Sequence, residues 1–368
     1  MCGILAIIGK GKDAASVQQL SKRMSHRGPD ESDMHVTANG HILSHERLSI
    51  IDLHSGRQPI QGTNTAWMVH NGEIYNHQQL RETVLKNHTF RTKSDSEVIV
   101  HLYEKFGNEF VSLLDGDFAF VVVDGDDFIA ARDPMGVKPL YYGMDDRGRM
   151  YFASEMKPLA DQCKTFSTFP PGHYYTPATG FVKYYNPLYE DHTQATHQLD
   201  LKLIRDTLTE SVRKRLMSDV PIGVLLSGGL DSSLTSSIAA RLLADSSKKL
   251  HSFSIALDAN APDAAAARKV AEFLGTEHHE IYFTIEQGIE ILDKLIWHLE
   301  TYDVTSLRAS TPMYFLSKAI TDLGVKVVLS GEGADEIFGG YLYFRNAPST
   351  EEFQQETIER VQKLFTAD

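Results

Sequence analysis

The chain has 368 residues, more than one ordinary core takes, so two domains are expected. A composition 42% hydrophobic and 23% charged is that of a soluble globular protein and excludes a disordered one, while a net charge of -13 argues against nucleic acid as a partner. Only Cys2 and Cys163 are cysteines, which argues against a disulfide framework and for a reducing compartment.

The first residues, Met1–Gly9, are apolar but have no basic leader and no long apolar run, so they do not read as a signal peptide; nothing reaches membrane-spanning length, and a cytoplasmic protein with no membrane contact is expected. Short apolar runs at Ile4–Ile8, Trp67–His70, Phe118–Val123, Phe128–Ala131 and Met150–Ala153 predict strands. Asn39-Gly40, Asn71-Gly72, Asp115-Gly116 and Asp124-Gly125 read as the turns between them. Helical spacing over Ser16–Met24 and Ser96–Phe106 interrupts the pattern, the second with Val98, Ile99, Leu102, Tyr103 and Phe106 on one face. Antiparallel sheets with a few packed helices follow, an α+β domain.

The turn-rich segment Phe169–Asp200 holds the expected domain junction, near 190–200. Beyond it helices and strands alternate: helix Leu201–Arg215, strand Ile222–Leu226, helix Ser232–Ala244, strand Leu250–Leu257, helix Ala264–Leu274, strand Glu280–Phe283, helices Gln287–Leu299 and Pro312–Leu323, strand Val325–Leu329. That alternation predicts an α/β domain with a parallel sheet. A charged helix follows Pro348.

Cys2 has an unusual address. Removal of Met1 frees its α-amine, whose reference pKa of about 8 leaves a neutral fraction able to take the proton of its own thiol. Taken alone, Cys2 reads first as a small buried residue, as free cysteines usually are. Acyl transfer from an amide also needs an oxyanion hole and groups for the substrate's ends. The Asn71 amide and Gly72 N–H suit the first, unless they form a plain Asn-Gly turn. Arg47 suits a carboxylate, unless it is a surface ion pair. Asp95 suits an ammonium, unless it or Ser94 caps a helix.

Together, Cys2-Gly3-Ile4, His26–Asp30, Asn71–Asn76, Leu114–Ala119 and Arg132–Gly143 resemble the glutaminase domain of class II (N-terminal nucleophile) glutamine amidotransferases over nearly all of residues 2–160. The resemblance implies a four-layer α/β/β/α sandwich. It implies Cys2 as nucleophile and Asn71 and Gly72 as oxyanion donors. Arg47, Glu73 and Asp95 would help bind L-glutamine, with backbone contacts near Ile51. Ser96 departs from the Cys that many relatives carry; the change is small and little effect is expected.

The second chemistry follows the strand Ile222–Leu226. Ser227-Gly228-Gly229-Leu230-Asp231-Ser232-Ser233 opens a helix, and glycines plus free N–H groups at a helix start make an anion site. Hydroxyls of Ser227, Ser232 and Ser233 add donors, and Asp231 suits Mg²⁺. The loop lacks the Gly-Lys-Ser/Thr ending of the common nucleotide loop, which points to pyrophosphate, not to γ-phosphoryl transfer; alone it reads equally as a tight turn. Ile255, in Ser252–Ile255, suits an adenine edge or an ordinary core. Ser330–Glu336 sets three carboxylates in a glycine-rich turn, which calls for a cation or a positive substrate, or else for solvent. In a parallel sheet all three loops meet at the carboxyl edge.

These loops, with Arg308–Tyr314 and Phe338–Tyr341, resemble the ATP pyrophosphatase domain of glutamine-hydrolysing asparagine synthetases from about residue 205 onward. The resemblance implies that ATP activates L-aspartate as β-aspartyl-AMP and that ammonia from the first site attacks it, reaching it through a closed passage. It assigns Leu226, Ser227, Gly228, Gly229, Asp231, Ser232, Ile255, Ser330 and Gly331 to ATP. It gives Glu332 to formation or breakdown of the intermediate, Asp231 and Asp335 to Mg²⁺, and a homodimer as the assembly. The implied domains are 2–190 and 200–368. Relatives continue past the position of Asp368, with an Arg-Val-Pro-Phe-Leu-Asp segment and a lysine near the activated aspartate, so the second domain is expected to be incomplete by the family's standard. Competing expectations are a glutaminase with an inactive second domain, a non-catalytic glutamine or nucleotide sensor, and a synthetase for another acid.

Overall fold

The computed structural model describes residues 1–191, 198–245 and 249–363. The chain parts into two compact units between Glu190 and Asp191. The expected junction at 190–200 lies partly on residues 192–197, outside the described residues. Among the described residues no helix is long and apolar enough to cross a membrane.

The first unit is built on two six-stranded antiparallel sheets. One runs Thr165–Thr168, Tyr141–Met144, Met150–Ala153, Gly3–Ile8, Ile42–Arg47, Glu31–Val36. The other runs Gly180–Lys183, His173–Thr176, Asp127–Arg132, Gly116–Asp124, Trp67–Ile74, Ile60–Gln61. Gly3–Ile8 is apolar throughout because both its faces are covered. Leu5 and Ile7 pack on Val17, Leu20 and Met24 of helix Ala14–Lys22 and the turn after it, while Ile4, Ala6 and Ile8 meet Val69, Ala119 and Val121 of the facing sheet. Gly116–Asp124 repeats the logic. Phe118, Phe120 and Val122 turn to Val98, Ile99 and Leu102 of helix Glu97–Phe106, and the alternate residues turn inward to the other sheet. Helix, sheet, sheet and helix form the four layers of an N-terminal-nucleophile fold, so the period-two split hides inside continuous apolar runs.

The strand Trp67–Ile74 corrects a sequence reading. Asn71 and Gly72 pair with Ala119 and Phe118 inside it and form no turn, since Gly72 (φ 149°) lets the strand continue against a close neighbour. In helix Glu97–Phe106, Phe106 is 39% exposed whereas Val100 and His101 are buried, because the helix is wrapped on more than one side along its first six residues. His173–Thr176 and Gly180–Lys183 form an edge hairpin in what reads as a turn-rich stretch, its half-buried tyrosines supplying too weak an apolar pattern.

The second unit has a four-stranded parallel sheet ordered Glu277–Tyr282, His251–Ala256, Ile222–Leu225, Val327–Leu329. The chain steps outward from Ile222–Leu225 on one side and returns to its other side with Val327–Leu329. The strand order therefore reverses at Ile222–Leu225, the place where open α/β sheets leave a crevice. Helix Val304–Asp322 begins eight residues before the expected Pro312, because Asp303 caps it by accepting from the Ser306 N–H at 2.7 Å and Pro312 is carried inside. The expected helix Gln287–Leu299 is two, Ile285–Glu290 and Leu292–Leu299.

Candidate active site

In the first unit one pocket, enclosing about 450 Å³ of non-atom space partly open to solvent, brings together Cys2, Arg47, Ile51, Asn71, Gly72, Glu73 and Asp95. Every glutaminase-site residue expected from the sequence lines it. Three strands from both sheets supply the parts: Cys2 precedes Gly3–Ile8, Arg47 ends Ile42–Arg47, and Asn71–Glu73 lie in Trp67–Ile74.

The Cys2 thiol is held by the Leu48 backbone, whose N–H reaches Sγ at 3.4 Å and whose carbonyl lies at 3.7 Å. Burial pushes this thiol above its ordinary value, while the neighbouring amine and the Leu48 contact pull it back in part. Here that amine belongs to Met1 and stands in for the α-amine that Cys2 would carry once Met1 is removed. Burial draws it down to about 6, opposed by the nearby Cys2 and helped by Arg27 and Lys138. At that value the Met1 amine is largely neutral at pH 7.

Arg47 donates from Nη1 to Glu31 at 2.7 Å and from Nη2 to the carbonyls of Ile51 and Asp52 at 3.2 and 2.6 Å. Three of its five donors are thus committed, which fixes the guanidinium plane at the pocket wall. The Ile51 carbonyl accepts from Arg47 and keeps a second lone pair. Asp95 accepts the Ile74 N–H at 2.8 Å, and burial lifts its carboxyl to about 7. The Asn71 Nδ2 is buried with no hydrogen-bond partner. Such a donor is costly unless something in the pocket takes it. At Gly72 an added Cβ would stand 2.1 Å from the Asp117 carbonyl oxygen, so only glycine fits the strand there.

Sequence reasoning missed the supports. Arg27 donates from Nε to the Cys2 carbonyl at 2.9 Å and from Nη1 to Glu155 at 3.2 Å, and Glu155 also meets His26 and Lys157. Asp30 accepts the Ser49 N–H at 2.7 Å, holding the loop after Arg47. The His-Arg-Gly-Pro-Asp motif is therefore the frame around Cys2 and Arg47. Lys138 reaches Glu73 at 3.0 Å. Burial works against the Lys138 charge, but Glu73 outweighs it and holds the ammonium above its ordinary value. Ser96 bonds His70 Nδ1 at 2.8 Å, and Gln58 accepts the His70 N–H at 2.7 Å, so the serine is tied into a buried polar block below the pocket. Burial holds His45 and His70 at about 4 and about 3, so both rings are neutral.

In the second unit, Ser227–Ser233 leaves the strand at the reversal point and Ser330–Glu336 leaves its neighbour. The two loops touch. A Cβ on Gly331 would lie 2.9 Å from the Asp231 Cβ and 3.0 Å from the Ser232 nitrogen. Ser227 and Ser232 shape their own turn: their hydroxyls are 3.0 Å apart, the Ser232 hydroxyl accepts the Ser227 N–H at 3.2 Å, and the Ser227 hydroxyl accepts the Gly229 N–H at 3.3 Å. Helix Leu230–Leu242 starts with no side-chain cap, leaving its first N–H groups to the crevice. Leu226 is buried and donates its N–H to the Phe253 carbonyl at 2.8 Å; Ile255 lies in the adjacent strand His251–Ala256. Glu332 is exposed, with its N–H on the Ser330 hydroxyl at 3.3 Å. Asp335 turns toward Gly340, where Oδ1 lies 1.9 Å from the site of an added Cβ. Among the described residues, Asp231 and Asp335 are not part of a cluster of three metal-ligating side chains.

The glutamine amidotransferase domain family matches residues 1–182 and the asparagine synthase family residues 203–366. A probable glutamine-hydrolysing asparagine synthetase of Dictyostelium discoideum is 49% identical over all of this chain and 70% of its own length. The chain belongs to the glutamine-hydrolysing asparagine synthetase family. Asparagine synthetase 3 of Arabidopsis thaliana is 50% identical and asparagine synthetase 2 of Oryza sativa 49%, each over the whole of this chain. The chain spans 66% and 64% of their lengths. Among solved structures, the glutamine phosphoribosylpyrophosphate amidotransferase of B. subtilis aligns with 76% of this chain and 65% of its own, at 17% identity and a TM-score of 0.44.

Proposed function

We propose that this chain makes L-asparagine from L-aspartate and ATP with ammonia taken from L-glutamine, residues 2–190 hydrolysing glutamine and 200–368 carrying the synthetase. The observation that carries the reading is the Cys2 pocket, where the thiol, an unpartnered Asn71 amide, a fixed guanidinium and a buried carboxyl face one cavity. In it the amine of Cys2 takes the thiol proton and Sγ attacks the glutamine side-chain amide. Asn71 and Gly72 stabilise the oxyanion, and ammonia leaves as the acyl-enzyme forms. Arg47 meets the substrate carboxylate, while Asp95 and Glu73 meet its ammonium. Water then releases glutamate.

In the second unit, Leu226 and Ile255 would flank the adenine, and the Ser227–Ser232 turn with Ser330 and Gly331 would cradle the phosphates. Attack by the aspartate carboxylate on the α-phosphorus releases pyrophosphate, and ammonia displaces AMP; Glu332, in the Ser330–Glu336 loop, would move the proton. The donor set suits Mg²⁺, since that ion is held by one or two carboxylates together with substrate phosphates, and Asp231 and Asp335 are the carboxylates offered. When bound it would neutralise the departing pyrophosphate.

Cys2→Ala tests the reading. Asparagine formation from glutamine should vanish, and pyrophosphate release with ammonium, aspartate and ATP should persist. Loss of both would count against two separate sites. Glutamate without any pyrophosphate from the native chain would leave a glutaminase.

A further inference from the structure

We propose that His251, Glu277 and His279 form a binding site for a divalent cation of the Zn²⁺ class at the amino edge of the parallel sheet. The site follows from strand register. His251–Ala256 and Glu277–Tyr282 run parallel, with His251 opposite Glu277 and Phe253 opposite His279. Residues two apart share a face, so His251, Glu277 and His279 all project on one side, and His278 and Ser252 on the other, where they bond each other at 2.9 Å.

One ligand atom from each of the three residues lies within 4.8 Å of the other two. His251 Nδ1 is 3.1 Å from His279 Nε2, which is 3.8 Å from Glu277 Oε1. Four ligands around Zn²⁺ at bond lengths of about 2.0–2.1 Å stand roughly 3.3 Å apart, so the two nitrogens are already at an edge of that tetrahedron. Glu277, half exposed, brings its carboxylate within 4.8 Å of both nitrogens as the third ligand. The rings are held for it. His279 stacks on Phe253 at 5.0 Å and 19°, and on His251 at 5.3 Å and 28°. Without an ion one proton must bridge the two nitrogens; an ion takes that proton's place and is bound by both lone pairs.

Two imidazoles and a carboxylate suit Zn²⁺ or Co²⁺ better than Mg²⁺, which prefers oxygen. The position also separates this site from ATP. The phosphate-loop candidates follow the carboxyl ends of the strands, whereas His251 and Glu277 are the first residues of theirs. An ion here clips two strands of the second unit together, and its effect is on stability.

The test uses the untagged full chain, stripped with a chelator and titrated with Co²⁺ and then Zn²⁺. One equivalent should survive desalting, Co²⁺ should show the visible absorption of a low-coordinate nitrogen-oxygen site, and Zn²⁺ should raise the melting temperature. His279→Gln and Glu277→Gln should each weaken binding by more than about tenfold, since even supporting partners of a metal site are worth that much. Cys2→Ser should leave it unchanged, which separates this site from the thiol. Glu277→Gln, at an exposed position, decides if His279→Gln does not fold. Absence of a saturable equivalent in the native chain, or full binding in Glu277→Gln with the fold intact, overturns the proposal and leaves a hydrogen-bonded histidine pair.

Discussion

In the proposed glutamine pose Asp95 sets a pH limit on the first site. Burial lifts its carboxyl to about 7, against the pull of the Ile74 N–H and with the push of Glu73. Below that pH the free pocket holds a neutral acid that cannot pair with an ammonium. Glutamine binding to the Cys2→Ala protein, measured by calorimetry, should therefore weaken as pH falls through about 7, approaching tenfold per unit. Asp95→Asn should flatten the profile at the weak end. The linkage to folding has the opposite sign: the group's folded value is raised above 3.8, so its contribution to stability is complete below 3.8 and is lost as pH rises through about 7. Bound glutamine restores it, and should stabilise the protein more at high pH than at low. A flat affinity across neutral pH would remove Asp95 from the ammonium. Asn71 offers the converse case. Its Nδ2 is buried without a partner, so Asn71→Ala removes a cost as well as the proposed oxyanion donor. Glutaminase kcat should fall by about 10²–10³, the worth of one oxyanion donor, with no loss of melting temperature. A fall in both together would mark Asn71 as structural.

At the scale of elements, the loop after strand Asp127–Arg132 is a device for presenting Lys138. Arg132 donates to the carbonyls of Lys138, Gly136 and Phe169 at 2.7–2.8 Å, and Asp133 accepts the N–H groups of Met135, Val137 and Lys138 at 2.9–3.0 Å. The side chain so placed meets Glu73 at the pocket wall. Lys138→Met should cost roughly 1–3 kcal/mol of stability, less than the ~3–5 of a fully buried pair because Glu73 is partly exposed. It should also raise KM for glutamine more than it lowers kcat. Lys138→Met with Glu73→Gln should recover stability and leave KM high, and a double-mutant cycle with no coupling would refute the pair. This loop shows why the sequence was legible only in part. Arg132–Gly143 was recognisable as a motif, yet nothing in its spacing says that Lys138 meets Glu73, because the two are joined only across the sheet. Arg27 is the same case: its target is the Cys2 carbonyl. Cys2, Arg47, Asn71, Gly72 and Asp95 were legible because each is a group that amide chemistry can use, whereas Glu73 and Ile51 came only with the family resemblance. The strand order of the second unit was not, although alternating helices and strands already placed the phosphate loops on one edge. Where local pattern misled, as at Asn71-Gly72 and Pro312, a long-range partner or an upstream cap overrode it.

For the whole molecule the decisive fact is that each unit has hydrophobic clusters of its own. Among the described residues three clusters lie within the first unit and three within the second. They also differ in quality. The first unit buries both faces of its central strands, whereas the second leaves Leu230, Phe273, Tyr302 and Val304 at 78–86% exposure and rests on a four-stranded sheet. Less apolar area removed from water means less stabilisation, at about 25 cal/mol per Å². Unfolding should therefore not be two-state. Scanning calorimetry should resolve two transitions, the second unit melting first. Each ligand then reports its own site. ATP with Mg²⁺ at about a hundred times its dissociation constant is worth ~2.7 kcal/mol and should move only the lower transition. Glutamine with the Cys2→Ala protein should move only the upper one. Gly331→Ala, whose Cβ would press on Asp231, should abolish the ATP shift and leave the glutamine shift intact. A single transition moved by both ligands would mean that the units unfold as one body, and the separation of the two chemistries would have to be sought in the catalytic cycle instead.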